Sequence, residues 1–187
     1  MYKDFQRVGR QLLLLGLITS HGGNASVRRG DNIFITRHAS MLGDLSRSDI
    51  VKVTMGKEGS KPLEASKELP VHEEIYKNTE ATAIIHAHPP HAITMSLLEE
   101  RIRPVDTEGA ILLGEVPVIV AREAVGSMEV ARPASETLKS RRVVMVRGHG
   151  SFAVGKDLLE ALCYTSALED SCKILLMLKG LVRGQGQ

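Results

Sequence analysis

Tryptophan is absent from this chain, and phenylalanine and tyrosine number only three each. Platforms on which nucleic-acid bases could stack are therefore scarce. Charge of one sign is lacking too. The 24 Lys and Arg residues face 22 Asp and Glu, and the net charge is +2. The basic residues are scattered, so no nucleic acid is expected as a partner. No apolar run approaches the roughly 18 residues of a membrane span. The longest near the N-terminus, Leu12-Leu13-Leu14-Leu15-Gly16-Leu17-Ile18, is short. It follows a charged amphipathic segment and lacks a small-residue cleavage site, so it does not read as a signal peptide. Cysteine is limited to Cys163 and Cys172, nine residues apart in one helical segment. At about 1.5 Å of rise per residue they lie about 13–14 Å apart along the axis, too far for a mutual disulfide. Two reduced thiols suit a cytoplasmic protein.

What is present is the composition of an ordinary globular chain: 187 residues, 43% apolar and 25% charged. That length predicts a single domain over 1–187 with a substantial core. Apolar residues at helical spacing (Phe5, Val8, Leu12, Leu15) predict a helix over 2–17. Strands are expected at 33–36, 49–54, 82–88, 116–120, 143–146 and 152–154. Helices are expected at 70–78, where Pro70 suits a first turn, and at 91–100. Another should run from a Ser127 cap to Leu138, kinked or broken at Pro133. The last should run from an Asp157 cap to about Lys179. This irregular alternation predicts a three-layer α/β fold with a mixed central sheet flanked by helices.

The residues most suggestive of chemistry are His86 and His88, at the end of the apolar run Ile84-Ile85 and followed by Pro89-Pro90. Residues i and i+2 of a strand point to one face, so both imidazoles can reach one metal ion. Imidazole suits Zn²⁺, and also Fe, Co or Mn. Spacing alone leaves a hydrogen-bonded pair at a sheet edge equally open. A third candidate is His149, at the end of Val143-Val144-Met145-Val146 and between Gly148 and Gly150. The glycines would let the backbone turn tightly and bring the imidazole near another strand. Three imidazoles leave coordination positions open, the pattern of a catalytic metal site. Glu68, just before a predicted helix, is the candidate acid/base. A first-turn carboxylate that favours the helix dipole is the other reading. Glu73 and Glu74 are assigned to the solvated helix face. Gly22-Gly23-Asn24-Ala25-Ser26 reads as a flexible loop that could cradle a phosphate or simply stop a helix.

Taken in order, Gly-Gly-Asn-x-Ser, Ser-x-Glu-x-x-x-His, His-x-His-Pro and Gly-His-Gly resemble the class II aldolase/adducin-head family, and the resemblance spans essentially the whole chain. It implies a mostly antiparallel central sheet, a Zn²⁺ held by His86, His88 and His149, and Glu68 as the catalytic acid/base. It also implies a small phosphorylated sugar as substrate. Gly23, Asn24, Ser66 and Lys67 fall where the family binds the phosphate, and His38 is a further candidate there. It implies a homotetramer with active sites at subunit interfaces. The chain departs from the aldolase pattern at Thr36-Arg37-His38-Ala39-Ser40, where the aldolases carry roughly Thr-Pro-Thr-Gly, and at Lys67, where they carry serine. Two family tyrosines also lack counterparts, one near Asp106-Thr107-Glu108 and one toward the closing Gly184-Gln185-Gly186-Gln187. His72, one helical turn beyond Glu68, is expected behind the site, His91 is read as structural, and His21 has no assignment. The resemblance favours a fuculose-1-phosphate-type aldolase forming an enediolate. A ribulose-5-phosphate-type 4-epimerase and a methylthioribulose-phosphate-type dehydratase are the alternatives. A non-catalytic adducin-like head is disfavoured by the intact histidines and Glu68.

Overall fold

In the computed structural model, residues 1–56 and 62–184 are described; Gln185-Gly186-Gln187, noted above for the absent tyrosine, lie outside them. The helices are α1 (Tyr2–Leu14), α2 (Leu69–Asn78), α3 (Pro90–Leu98), α4 (Thr107–Leu112), α5 (Met128–Leu138) and α6 (Leu158–Gly184). The strands are β1 (Asn24–Arg29), β2 (Asn32–Thr36), β3 (Ile50–Thr54), β4 (Ala83–Ala87), β5 (Arg101–Ile102), β6 (Val116–Ile119), β7 (Val143–Val146) and β8 (Gly150–Gly155). The strands form one sheet in the order β3-β2-β1-β4-β8-β7-β6-β5. Every neighbouring pair is antiparallel except β6 and β7, which are joined through α5. The expected mixed sheet, mostly antiparallel and flanked by helices, is what forms.

The period-2 alternation of the strands divides the core in two. Ala25, Ile85, Met145 and Ala153 pack on the side of α1, α3 and α6. Ile33, Ile35, Ile84, Val144 and Phe152 pack on the side of α2 and α5. Pro70 lies in the first turn of α2, Ser127 Oγ accepts from Val130 N, and Asp157 Oδ1 accepts from Glu160 N, each cap as expected.

Three expectations need correction. Asn24, Ala25 and Ser26 are not loop but the start of β1, paired with His86, Ile85 and Ile84. Pro133 does not break α5, which runs through it. A proline there removes one helical hydrogen bond, and burial of Val130, Ala131, Ala134 and Leu138 offsets the loss. Glu73 is buried, at 7% exposure, rather than on a solvated face. The short elements β5 and α4 were not anticipated.

Candidate active site

The site lies where β4 ends beside β1 and β8. His86 is buried, and its ring stacks on Phe152 with centroids 4.4 Å apart. Its Nδ1 lies 3.0 Å from the Ser151 carbonyl oxygen, which makes Nδ1 the protonated nitrogen and leaves the Nε2 lone pair facing His88. The two Nε2 atoms are 3.0 Å apart. His149 closes the triangle, its ring 4.8 Å from that of His86 and 5.2 Å from that of His88. The expected glycine roles hold. Gly148 takes φ +69°, and a Cβ on Gly150 would come within 2.7 Å of the His88 ring and 2.4 Å of the Ala87 carbonyl oxygen.

One ligand nitrogen from each histidine lies within 4.8 Å of the others. Three imidazole nitrogens at that separation could converge on one Zn²⁺. Burial drives the His86 imidazole well below its ordinary pKa, with neighbouring His88 and His149 adding to the effect. Burial and His149 push His88 down to about 4. Burial lowers His149 as well, with the Ala124 backbone opposing the shift, and its Nδ1 is buried without a hydrogen-bond partner among the described residues. The donor set is therefore neutral at physiological pH, the form that binds a metal. These three residues fit the group that the resemblance implies.

Glu68 stands at the N-cap position of α2, but its side chain does not cap the helix. It is 3% exposed, and burial pushes its carboxyl up to about 7. Gly126 N–H donates to Oε2 at 3.0 Å and opposes that shift, while Oε1 has no hydrogen-bond partner among the described residues. Gly126 was not anticipated, being 58 residues away in the chain. Its φ is +62°, and a Cβ there would lie 2.3 Å from the Lys67 carbonyl oxygen. Gly126→Ala should therefore displace the loop from Glu68. The left-handed conformation alone costs about 1–2 kcal/mol, and a shift of about 1 Å in a catalytic group can cost about 10²-fold in rate. The check is kcat with thermal unfolding; unchanged kcat would show that the loop does not set Glu68.

A cleft of about 380 Å³ gathers all the candidates: His86, His88, His149, Glu68, Gly23, Asn24, Ser66, Lys67 and His38. It also takes in His21, Gly22, Ala39, Ser40, Arg37 and Val125. Asn24 is 6% exposed, and its Oδ1 has no hydrogen-bond partner among the described residues. Ser66 Oγ accepts from Glu68 N at 3.2 Å. Lys67 and His38 are exposed on the wall, without a side-chain partner among the described residues. Arg37, by contrast, is tied to the Ser48 carbonyl oxygen at 3.0 Å.

His72 lies behind the site, as its spacing from Glu68 suggested. It is wholly buried, and burial lowers it to about 3. Its Nδ1 is 2.7 Å from Ser26 Oγ, which is 2.8 Å from the Tyr76 hydroxyl. The His72 ring meets Phe152 edge-on at 5.9 Å. Phe152 thus lies between His72 and His86, backing the imidazole.

Three imidazoles and a carboxyl whose pKa burial raises meet in one open cleft on a mixed α/β sheet, an arrangement that could hold a metal beside an acid/base group. The chain matches the family described as Class II Aldolase and Adducin N-terminal domain over residues 3–176, and it belongs to that family. It is 31% identical over 176 residues to an L-fuculose phosphate aldolase of Methanocaldococcus jannaschii, covering 94% of this chain and 95% of the relative. It is 30% identical to a 3-oxo-tetronate 4-phosphate decarboxylase of Haemophilus influenzae, covering 93% and 86%. The crystal structure of L-fuculose-1-phosphate aldolase from Thermus thermophilus superimposes with a TM-score of 0.94 at 38% identity, covering 100% of this chain and 97% of that one. Among the described residues no helix is long and apolar enough to cross a membrane.

Proposed function

We propose that the cleft is the active site of a Zn²⁺-dependent aldolase that cleaves or forms a small ketose phosphate, with chemistry of the L-fuculose phosphate type. The observation that carries this reading is the convergence of Glu68 and three neutral imidazoles on one cleft. A divalent metal held by His86, His88 and His149 supplies Lewis-acid stabilisation of negative charge developing on a carbonyl oxygen. In the cleavage direction the hydroxyl of the leaving fragment gives up its proton to solvent, the carbon–carbon bond breaks as that fragment becomes an aldehyde, and the bonding electron pair stays with the donor carbon. Glu68 delivers the proton which that carbon takes up. In condensation the same carboxylate removes it. In the metal-free chain burial raises this carboxyl to about 7, and a bound cation beside it would draw it back toward the ionised form that acts as the base. Lys67 and His38 offer charge and hydrogen bonds to a phosphate, with Gly23, Asn24 and Ser66 along the same wall. Assembly into a homotetramer, implied by the family resemblance, belongs to the same proposal.

The Haemophilus influenzae relative favours a second reading, decarboxylation of a 3-oxo acid phosphate. That reaction also leaves an electron pair beside a carbonyl, so the same acid and imidazoles would serve it. The test is an enzyme-coupled assay for dihydroxyacetone phosphate released from a panel of ketose 1-phosphates, with and without a chelator. Chelator-sensitive release is expected. No release from metal-replete protein, with carbon dioxide evolved from a 3-oxo acid phosphate, would replace the aldolase by a decarboxylase.

A further inference from the structure

His88 is the last residue before two prolines, and neither proline has an N–H to anchor the chain that follows. Helix α3 begins at Pro90, with Pro89 at its N-cap and no side-chain cap of its own. A helix leaves its first N–H groups without intrahelical partners. Here Ile93 N already reaches the Pro89 carbonyl oxygen, so the groups needing acceptors are His91 N and Ala92 N. Both go to one side chain. Glu169, from the middle of α6, accepts from His91 N at 3.0 Å and from Ala92 N at 3.0 Å. Its Oε1 also lies 2.6 Å from His91 Nδ1. The carboxylate is buried, at 8% exposure, and among the described residues no Lys or Arg pairs with it. Three hydrogen bonds to a charged acceptor, two of them from a helix N-terminus, favour this location despite burial. On the other side of the prolines, His88 N donates to the Leu17 carbonyl oxygen at 2.8 Å. The Pro89-Pro90 corner is thus held at both ends, by Leu17 before it and by Glu169 after it.

We propose that Glu169 is a positioning residue for the metal site, fixing His88 through the first turn of α3 without touching the cleft. This rests on the reading of His88 as a metal ligand. It gives His91 a purpose as well: its ring adds a further contact to the clamp. Glu169 does not line the cleft, so its removal should act on metal affinity rather than on the chemical step at full occupancy.

The experiment measures Zn²⁺ affinity of the full chain by chelator competition, well below the unfolding temperature. It compares the parent, Glu169→Ala, Glu169→Gln and Asp157→Ala. Asp157→Ala is the control, because it removes the N-terminal cap of the same helix α6 far from α3. Groups that orient metal ligands are worth about 10–100-fold in affinity, and that loss is expected for Glu169→Ala. Glu169→Gln should lose less, since its amide oxygen still accepts. For both variants kcat should recover at saturating Zn²⁺. Asp157→Ala should lower Tm and leave Zn²⁺ affinity as in the parent. Unchanged affinity in Glu169→Ala overturns the proposal, and so does an equal loss in Asp157→Ala. If Glu169→Ala does not fold, unchanged affinity in Glu169→Gln overturns it. A parent chain that binds no Zn²⁺ overturns the ligand reading itself, an outcome distinct from the others.

Discussion

Glu68→Gln should abolish most turnover while leaving metal content and fold intact. General acid–base groups contribute about 10²–10⁴-fold, and a loss in that range of kcat is expected. The amide can still accept from Gly126 N–H, so the loop keeps its anchor. Stability should respond in the opposite direction to activity. The Glu68 carboxyl is raised from 4.5 to about 7 by burial, so the folded chain holds a proton that the unfolded chain has already released. For such a group, stability is full below pH 4.5 and is lost as pH rises toward 7. In metal-free protein the parent should therefore lose stability relative to Glu68→Gln across that window. Urea unfolding of both chains at pH 4.5 and pH 8 checks the sign. Near-parental kcat in Glu68→Gln would remove Glu68 from the mechanism.

His86→Ala should lose stoichiometric metal, and with it the activity. His86 is the most buried of the three residues, fixed by the Ser151 carbonyl oxygen on one side and backed by Phe152. A water in its place would be held by neither feature. Elemental analysis of purified variant against parent is the direct measurement, with one ion per chain expected for the parent only. Full occupancy in the variant would break the ligand assignment. Because the ring is wholly enclosed, its truncation also leaves a void against Phe152, and unfolding at a lower temperature is expected.

The cleft's main residues were legible because they fall in short motifs whose geometry is local. His86 and His88 share a face by strand periodicity, and His149 sits in a glycine turn. The parts that were not legible depend on distant chain segments meeting. Gly126 reaches Glu68 from the loop before α5, and nothing in Val125-Gly126-Ser127 marks it for that contact. The start of β1 was missed because Asn24, Ala25 and Ser26, small residues directly after Gly22-Gly23, read as a continuation of the loop. Its polar face is buried because His72 and Tyr76 bond Ser26, and Arg28 donates to the Tyr76 and Thr79 carbonyl oxygens. Glu73 misled for a related reason: a carboxylate on a helix is usually solvated, and only packing tells otherwise. The elements β5 and α4, of two and six residues, are too short to show a period.

Asn24 and His86 face each other as partners in the β1–β4 ladder. A strand's side chains alternate, so a slip of one residue in that ladder would turn Asn24 and Ser26 to the opposite face together. Altering this rung would thus disturb the three-histidine cluster at the same stroke. The loop at 37–40 borders the cleft without belonging to the rung. Directed evolution toward a new sugar phosphate has its freest ground there, where residues can be exchanged while the histidines hold their places.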